Sequence, residues 1–215
     1  MMTRKYFLII LTAILLVSCS RTKTEYWPNG SKKSEIGMVG GKYEGRAAYW
    51  DENGNIQTVC TYRNNIIDGV LRSYHLNGKV QAEQHYSGGV LDGPVTGWDD
   101  EGNMTSEGHY RKGVLHGRYA EYYPNKSLKF EGNYIDGDLD GIWLYYDPSG
   151  MIVGEGTFKR GTGFQKTFYG NGTAKQVTHY TKNEKDGEEV FYRPDGTPDV
   201  TNFFVKGKLT RKIQK

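Results

Sequence analysis

Cysteine is nearly absent from this chain, and its scarcity excludes a framework of disulfides. The 215 residues contain two cysteines, Cys19 and Cys60. If Cys19 serves another purpose, Cys60 has no intramolecular partner. Cys60 stands in the alternating segment IQTVCTY with no histidine close by in sequence. We therefore interpret it as a half-buried structural thiol and not as a nucleophile.

Apolar side chains are also scarce, whereas glycine and tyrosine are abundant. Hydrophobic residues make up 36% of the chain, which nevertheless holds 29 glycines and 17 tyrosines. Outside the first segment, apolar residues do not recur at the helical period, and turn residues arrive about every ten positions. This composition argues against a thick two-layer core and predicts short strands joined by tight turns.

Motifs for catalysis or cofactor binding are missing as well. The chain has no nucleophile elbow, P-loop, CxxC or HExxH, and no GxGxxG that precedes a helix. We therefore expect a protein that is not an enzyme, that holds no cofactor or metal, and that has no small-molecule substrate.

A basic excess that would attract nucleic acid is also lacking. Of the 28 basic residues, Arg4 and Lys5 belong to an N-terminal segment that we expect to be removed, and the remainder nearly balances the 25 acidic residues. A near-neutral chain does not attract nucleic acid by bulk charge. We expect no nucleic-acid partner.

The one long apolar run lies at the N-terminus and has the features of an export signal. Two basic residues precede the largely apolar stretch Phe7–Val17, which is too short for a transmembrane helix of about 20 residues. The ending Leu-Val-Ser-Cys resembles the lipobox of bacterial lipoproteins, in which the cysteine carries lipid. We predict a signal peptide over 1–18, lipidation of Cys19 and a short tether over 19–25.

This anchor predicts a location on a membrane of the bacterial cell envelope. Acyl chains hold a protein on a bilayer with about 0.8 kcal/mol per buried CH₂. Ser20 follows the lipid cysteine and resembles the neutral residue that permits passage to the outer membrane in many Gram-negative lipoproteins. For a host with two membranes, the outer membrane is the predicted location.

The remaining chain is organised by a repeat of 24 residues. With one interval of 22 residues, a glycine recurs at this spacing at Gly45, Gly69, Gly93, Gly117, Gly141, Gly163 and Gly187. An acid precedes five of the seven, and we interpret the pair as the turn that closes each unit. A second turn, most often Asn-Gly, lies nine residues further on and predicts a hairpin whose two central residues take positive φ. One unit has Asn125-Lys126 instead, which predicts strain at Lys126.

Aromatic residues recur with the same period and form two columns. The first column stands four residues before the second-turn glycine position, at Trp50, Tyr74, Trp98, Tyr122, Tyr146, Phe168 and Tyr192, after Tyr26 in the opening unit. The second stands eight residues after it, at Tyr62, Tyr86, Tyr110, Tyr134, Phe158, Tyr180 and Phe204, after Met38. Each unit is therefore predicted to be two short strands. The first column, from Trp50 to Tyr192, is the predicted interaction face, because aromatic side chains offer contact area and a polar tip at low entropy cost. The alternative is that these rings only take the place of a missing second layer.

The unit resembles the MORN repeat, and more closely the variant in bacterial YwqK-type proteins. The segments GRYAEYYPNKSLKFEGNYIDGDLDG (117–141) and GVLRSYHLNGKVQAEQHYSGGVLDG (69–93) carry the resemblance best. It covers about residues 26–210 in roughly eight units. It implies an all-β fold, an elongated array of antiparallel hairpins with about sixteen short strands in a single twisted sheet.

Two places depart from the regular array. The unit from Ile142 to Gly163 has 22 residues, and we expect a local irregularity there. At the C-terminus, VKGKLTRKIQK either forms a charged edge that protects the array or is a solvated tail, and we assign 211–215 to a basic tail.

Two repeated polar columns have a chemical interpretation beside a structural one. His85, His109 and His179 share a phase of the repeat, but equivalent positions of neighbouring units lie about 10 Å apart, too far for one metal ion. Glutamates recur at Glu35, Glu83, Glu107, Glu131 and Glu155. A catalytic pair of carboxylates needs two different surroundings, whereas a repeat provides equivalent ones. We interpret both columns as structural.

The stretch DGDLDGIWLYYD also has the spacing of a calcium loop. Asp136, Asp138 and Asp140 stand two apart, Gly141 follows, and Asp147 returns a carboxylate at the twelfth position. The same stretch fits the repeat in register, with two extra acids in its turn. The sequence favours the repeat and leaves calcium open.

Four functions remain open at this point. The leading hypothesis is a lipid-anchored scaffold that binds an unknown protein partner in the cell envelope. The resemblance to YwqK-type proteins implies an antitoxin with a toxin as its partner, and the export signal restricts that role to immunity against an envelope-acting toxin. The membrane-associated roles of MORN repeats imply binding of lipid headgroups. Exposed aromatic side chains are also suited to carbohydrate.

Overall fold

The computed structural model describes residues 20–215, and this part of the chain is a succession of β-strands. Their bounds are β1 (Ser20–Tyr26), β2 (Lys32–Val39), β3 (Lys42–Trp50), β4 (Ile56–Arg63), β5 (Ile66–Ile67), β6 (Gly69–Tyr74), β7 (Val80–Ser87), β8 (Val90–Trp98), β9 (Met104–Arg111), β10 (Val114–Tyr122), β11 (Leu128–Ile135), β12 (Asp138–Tyr146), β13 (Ile152–Lys159), β14 (Thr162–Phe168), β15 (Ala174–Thr181), β16 (Glu184–Tyr192), β17 (Pro198–Val205) and β18 (Lys208–Gln214). Within residues 20–215, no helix is long and apolar enough to cross a membrane.

The strands form one open antiparallel sheet in which each strand pairs with its successor along the chain. At one place β5 and β6 both lie opposite β4 and are separated by Asp68. In the described part of the chain, β1 pairs with β2 alone and β18 with β17 alone, so these two strands are the edges. The predicted all-β array of antiparallel hairpins is confirmed.

Strand structure extends further at both ends than the sequence pattern indicated. There are 18 strands and not about sixteen, because β5 is separated from β6 and β18 adds a last strand. The predicted tether over 19–25 is wrong from Ser20 onward, because β1 pairs with β2 along its whole length. The predicted basic tail is wrong up to Gln214, since β18 is the charged edge strand. The predicted signal peptide and Cys19 lie outside the described residues.

One long edge of the sheet consists of eight hairpin tips with three-residue loops. In the tip after β3, the N–H of Gly54 donates to the carbonyl of Asp51 over 3.1 Å, and the N–H of Asp51 donates to the carbonyl of Asn55 over 3.0 Å. Gly54 has a φ of 86°, whereas the asparagine before it does not take positive φ. The loop is therefore a type I turn followed by a left-handed residue. The prediction of positive φ at both central residues is wrong for these tips.

Lys126 occupies the glycine position of the tip after β10. Its φ is 71°, in the left-handed region that disfavours residues with a side chain. The predicted positive φ at Lys126 is thereby confirmed, and the strain that it implies stays a prediction.

The opposite long edge consists of two-residue turns at positions that differ from the predicted ones. Between β9 and β10, Lys112 and Gly113 have φ of 49° and 86°, and Arg111 pairs with Val114. These are the type I′ values of a tight hairpin. The seven glycines interpreted as closing turns, Gly45, Gly69, Gly93, Gly117, Gly141, Gly163 and Gly187, lie instead within β3, β6, β8, β10, β12, β14 and β16. That interpretation is wrong, because the turn lies about four residues earlier.

Six of these glycines mark bulges in the sheet and have φ between 73° and 125°. In β10, Leu115 pairs with Tyr110 and Tyr119 with Gly108, so that three residues centred on Gly117 face the single residue His109. Positive φ at the glycine lets the strand bend outward and rejoin the ladder. A 24-residue unit therefore contains two residues more than a regular ladder needs.

The 22-residue unit lacks this bulge. β13 and β14 pair without a register shift, and Gly163 does not take positive φ. A Cβ on Gly163 would lie 1.9 Å from the carbonyl oxygen of Thr157, so glycine is required there for close approach. The expected local irregularity is therefore present as a missing bulge, although the ladder of the shorter unit is itself the more regular one.

Loss of the bulge draws two turns together. Asn183, in the turn after β15, accepts the N–H of Leu139 over 2.9 Å and donates to the carbonyl of Gly137 over 3.1 Å. These bonds reach past the intervening turn, whereas most turns bond only to the neighbouring unit, as when Gly113 N–H donates to the carbonyl of Leu91 over 2.8 Å. The short unit is therefore a place in the array where turns that are two units apart are joined by hydrogen bonds.

The two faces of the sheet differ in what they bury. Paired residues point to the same side and successive residues to opposite sides. We define face A as the side of Ala120 and its partner Glu107, and face B as the side of Tyr119 and its partner Gly108. Face B holds the small core cluster, in which buried Cys60 packs with Ile36 and Ala47. Burial raises the pKa of the Cys60 thiol, as suits a structural residue.

Aromatic contacts on face B take the place of a second layer. Ring centroids of Tyr134 and Trp143 lie 5.0 Å apart, edge to face, and those of Tyr119 and Phe130 lie 6.0 Å apart. Such pairs contribute about 0.5–1.5 kcal/mol beyond the area they bury. The second predicted aromatic column supplies many of these rings and is part of the core.

Candidate interaction face

The first predicted aromatic column lies on face A as one continuous row. Each member is the last residue of a strand that leads into a tip. All are half-buried, and the row consists of Trp50, Tyr74, Trp98, Tyr122, Tyr146, Phe168 and Tyr192. Each also pairs across a register shift, as when Tyr122 pairs with Leu128 while its neighbour Glu121 pairs with Phe130. The tip loop thus fixes where each ring stands, and the sheet brings the seven together.

Carboxylates and guanidinium groups run beside this row. The hydroxyl of Tyr122 donates to Glu107 over 2.6 Å, and that of Tyr146 donates to Glu131 over 3.1 Å. Arg118 lies between the two glutamates and is paired with both, at 3.0 Å from Glu131. The predicted glutamate column is therefore brought together with the aromatic row as a structural ladder.

Two glutamates of the ladder, Glu107 and Glu83, have a lowered pKa. The Tyr122 hydrogen bond and then Arg118 lower the pKa of Glu107 against the opposing effect of burial. For Glu83, burial raises the pKa but Arg72, at 2.6 Å, and His85 outweigh it and lower the pKa overall. Face A therefore has a row of rings bordered by paired charges.

Two grooves open on the row at equivalent places in different units. One has a volume of 480 Å³ and lies between Lys79, Val80 and Trp98. The other has a volume of 360 Å³ and lies between Met151, Ile152 and Phe168. One wall of each groove is formed by the residues that follow a tip, and the other by the aromatic residue that the next unit contributes to the row. Met151 and Ile152 are 61% and 50% exposed, so the second groove presents apolar surface to solvent.

Exposed aliphatic residues extend face A toward the opposite edge. Ile66, Val90 and Val114 directly follow successive two-residue turns and are 49%, 45% and 43% exposed. Val114 pairs with Arg111, which lies on the face A side of β9 because it is four residues from Glu107. The sequence analysis missed this second row. Its signal in the sequence is an aliphatic residue directly after a two-residue turn, and only three of these turns have one.

The acids before the bulge glycines have a local role. Carboxylate oxygens of Glu44 and Asp140 accept the backbone N–H of Asn64 and Arg160, each 20 residues later, over 2.9 and 3.0 Å. The acceptor holds the next unit's turn residue in its left-handed conformation. These pairs are structural.

The aspartates of the calcium-like stretch are bonded to basic, amide and backbone N–H groups of the protein. Asp136 is paired with Arg111 at 2.5 Å and with Arg160 at 3.2 Å, and its pKa is lowered chiefly by the bond from Arg111. Asp138 accepts from the side chain of Asn183 over 3.2 Å. Asp140 accepts the N–H of Arg160, as described above. Across residues 20–215, no three His, Cys, Asp or Glu side chains gather into a cluster that could hold a metal ion.

The three histidines of the predicted column lie opposite bulge glycines. A Cβ on Gly93 would lie 2.9 Å from Cβ of His85, and one on Gly187 would lie 3.5 Å from Cβ of His179. His179 Nδ1 is 2.9 Å from the carbonyl oxygen of Glu188, with which it shares a hydrogen bond. The histidines fill space beside the bulges.

The tips reveal an alternation that the sequence analysis missed. In every second tip the first residue is a ring donor, and it bonds to the carbonyl of a row residue in the next unit, at distances of 2.7–3.0 Å from Trp27 to Trp50, His75 to Trp98, Tyr123 to Tyr146 and Tyr169 to Tyr192. In the tips between them an aspartate stands there instead and accepts its own turn's N–H groups, as Asp51 does from Asn53 over 2.9 Å. The units are therefore joined in pairs, with a true period of two units.

Comparison with known families gives a match around five of the eight tips. The model described as the MORN repeat variant matches residues 43–64, 67–87, 91–112, 115–136 and 139–160. Each matched segment contains one tip and the two strands beside it. No curated protein matches this sequence. Since the matches cover half of the chain, it belongs to the MORN repeat family in its variant form, as a repeat protein for interaction with proteins or lipids.

Proposed function

We propose that this protein is a non-enzymatic scaffold that holds a protein partner on face A and is anchored by lipid at Cys19 in the bacterial cell envelope. In a host with two membranes, the anchor would be in the outer membrane. The observation that carries the proposal is the row of seven half-buried aromatic residues, with two grooves that open on it at equivalent places of different units.

The composition of face A is suited to a protein surface. Rings that are already packed on the sheet lose little conformational freedom on binding, and aromatic and arginine side chains dominate the energetics of interfaces. The paired charges of Arg118 with Glu107 and Glu131 would form a polar border to the contact. Each groove would receive one apolar side chain of the partner.

The absence of catalysis is supported by the state of the carboxyl groups. A glycosidase-type pair needs one acid whose pKa is raised. Glu35, Glu83 and Glu107 all have a lowered pKa because cationic or hydroxyl donors face them. We therefore assign the glutamate column a structural role and propose no reaction.

Affinity capture from envelope extracts of the host tests the scaffold. The bait is the full chain, compared with the double variant Trp98→Ala plus Phe168→Ala, which removes the ring from both grooves. Leu209→Ala is the matched control, because Leu209 is 55% exposed and pairs with Phe204 on face B. The double variant should lose a specific captured protein by roughly ten-fold or more, and the control should keep it. Equal recovery of the captured protein by all three baits would refute the proposal.

Immunity against an envelope-acting toxin is the second candidate. It rests on the resemblance of the 24-residue units to YwqK-type proteins, and such a toxin would be the partner on face A. Deletion of the gene in cells that express a neighbouring toxin-like gene is the test. Unchanged growth would remove this candidate and leave the scaffold untouched.

Lipid headgroups are the third candidate, favoured by the edge of two-residue turns. Lys112, Arg160, Lys182 and Lys206 take φ of 48–53° as the first residue of four turns, a conformation that disfavours them. Flotation of the unlipidated protein with anionic vesicles tests this edge. If the protein stays at the bottom of the gradient at physiological salt, the edge does not bind lipid.

A further inference from the structure

The repeat changes its chemistry on face B in its last third. Where β12 places Trp143 and Tyr145 on this face, β14 places Gln165 and Thr167, 22 residues later. The two rings of β12 thus give way to two hydrogen-bonding side chains in β14, so that polar groups replace aromatic burial at this place in the array.

These residues enclose a pocket of 210 Å³. Its lining is polar and comes from three adjacent strands, with Gln165 and Thr167 from β14, Gln176, Thr178 and Tyr180 from β15 and Lys185 from β16. On the other side of β14, the paired positions in β13 are Gly154 and Gly156, which place no side chain over it. Without a bulge, β14 pairs with β13 in unbroken register, and Gln165 and Thr167 pair directly with Thr178 and Gln176 of β15.

A buried carboxylate, paired with a half-exposed lysine, supports the pocket wall. Glu189 is 4% exposed and accepts from Lys185 over 2.5 Å, from Gln176 over 2.9 Å and from Asn202 over 2.9 Å. Burial alone would raise the pKa of Glu189, but the bonds from Lys185 and Asn202 outweigh it and lower the pKa. The carboxylate is thus ionised and neutralised by Lys185, which leaves the pocket without net charge.

The groups that face the pocket are both donors and acceptors. The Tyr180 hydroxyl donates to Gln165 over 3.2 Å, and its ring lies edge to face with Phe158 at 5.7 Å. Amide and hydroxyl groups beside an aromatic ring suit a ligand with several hydroxyl groups, since each hydroxyl also donates and accepts. A charged ligand finds no free counter-charge, because Lys185 and Glu189 are paired with each other.

We propose that this pocket binds a neutral polyhydroxylated ligand the size of one sugar ring, held chiefly by Gln165 and Thr167. Gln176 and Thr178 support the wall, because they bond to each other and to Glu189. The volume is below the roughly 300–1,000 Å³ of pockets for drug-sized ligands and so selects a single ring. The ligand is bound without reaction. This site goes beyond the scaffold function, because it lies on the opposite face from the aromatic row.

Saturation-transfer difference NMR with the full chain tests the proposal, using D-glucose, D-galactose, N-acetylglucosamine and myo-inositol as probes. At least one of the four should give a saturable signal. Gln165→Leu plus Thr167→Val keeps the volume of the lining but removes its hydrogen-bonding groups, and should weaken that signal roughly ten-fold or more. Trp98→Ala, on face A, should leave the signal unchanged.

Three results would overturn the proposal. The first is no saturable signal from any of the four probes. The second is binding that persists in the double variant. The third is binding lost in Trp98→Ala, which would locate the sugar on face A. A circular dichroism melt of each variant establishes that it is folded, and Thr167→Val alone, with an expected loss of about three-fold, replaces the double variant if that one unfolds.

Discussion

At the residue scale, Gly132 shows how a single-layer sheet makes room for large rings. It lies in β11 next to Trp143, and a Cβ added to it would lie 2.1 Å from Cδ2 of the indole. The glycine is therefore needed for its missing side chain and not for its φ, which is in the ordinary range. Trp143 reaches only 2% exposure because this space exists.

Gly132→Ala should destabilise the protein by about 1–3 kcal/mol, because the methyl group overpacks the Trp143 ring. Gly170→Ala is the matched control, since Gly170 also lacks positive φ and a Cβ there meets no atom within 4 Å. The control should be neutral or stabilising by up to about 1 kcal/mol. Urea denaturation measures both, and similar values for the two variants would contradict the packing account.

Lys126→Gly should stabilise the protein by about 0.5–1 kcal/mol. Lys126 has a φ of 71° in a position that glycine occupies in the other seven tips, and glycine adopts this φ without steric cost. The gain is reduced by the extra freedom of glycine in the unfolded chain. A lower midpoint of urea denaturation in the variant would refute the strain at this residue.

At the element scale, hydrogen bonds from polar side chains hold each tip in its conformation. Asn77 accepts the N–H of Lys79 over 3.0 Å and donates to the carbonyl of Asp100 in the next tip over 2.6 Å. The next tip begins with Asp99, whose carboxylate accepts the N–H groups of Glu101 and Asn103 over 3.0 and 2.8 Å. The side chain of Asn77 thus reaches the next tip, whereas that of Asp99 bonds within its own tip.

The pH dependence of stability follows from these capping aspartates. The backbone N–H of Asn103 is the largest contribution that lowers the pKa of Asp99 below its ordinary value. A lowered pKa means that the unfolded chain binds the proton more readily, so the stabilisation is present above about pH 4 and is lost as pH falls through the folded pKa. Melting temperature should therefore stay level from about pH 7 to 5 and fall below about pH 4.

Asp99→Asn isolates one cap. The variant should melt below the unsubstituted protein at neutral pH, and the difference should shrink as the pH approaches about 2. A difference that stays constant across this range would show that the charge of Asp99 does not contribute.

Much of this element structure could be predicted from the sequence, and the remainder required pairing across strands. The period of 24 predicts hairpins, their number and their aromatic rows. It could not separate the turn at Lys112-Gly113 from the bulge at Gly117, because both are glycines at the same period, and register depends on the partner strand. The alternation of Trp27, His75, Tyr123 and Tyr169 escapes a search for identical residues, since three ring types share one hydrogen-bonding role.

The aromatic row and the polar pocket differ in the same way in how far the sequence predicts them. The row from Trp50 to Tyr192 was accessible from the sequence because one strand position repeats. The pocket around Gln165 and Glu189 was not, since it arises where the pattern is lost and combines residues from β14, β15 and β16.

At the scale of the whole molecule, the short unit divides a regular array. Asn183 has a φ of 64° and bonds through its side chain to Leu139, Gly137 and Asp138. Asn183→Gly keeps the backbone conformation and removes these bonds, so it should destabilise the protein by about 1–2 kcal/mol. Asn64→Gly is the control, because Asn64 also has positive φ, at 51°, and its side chain accepts one long bond of 3.4 Å from Lys42. Equal effects of the two variants on urea denaturation would show that the hydrogen bonds of the Asn183 side chain do not stabilise the protein.

The whole array also presents face A as one continuous surface. Aromatic rings follow the tip edge, paired charges run beside them, and the aliphatic residues Ile66, Val90 and Val114 stand toward the other edge. Because each unit repeats the same motif, a partner gains contacts in proportion to the number of units it covers.

Site-specific photo-crosslinking in the living cell tests whether face A holds a protein partner, as proposed. A photoreactive phenylalanine analogue is placed in the full chain at the position of Trp98 or Phe168 on face A, and at that of Leu209 on face B as the control. A discrete cross-linked protein is expected from positions 98 and 168 and none from position 209. No adduct on face A, or the same adduct from both faces, would rule out face A as the binding surface.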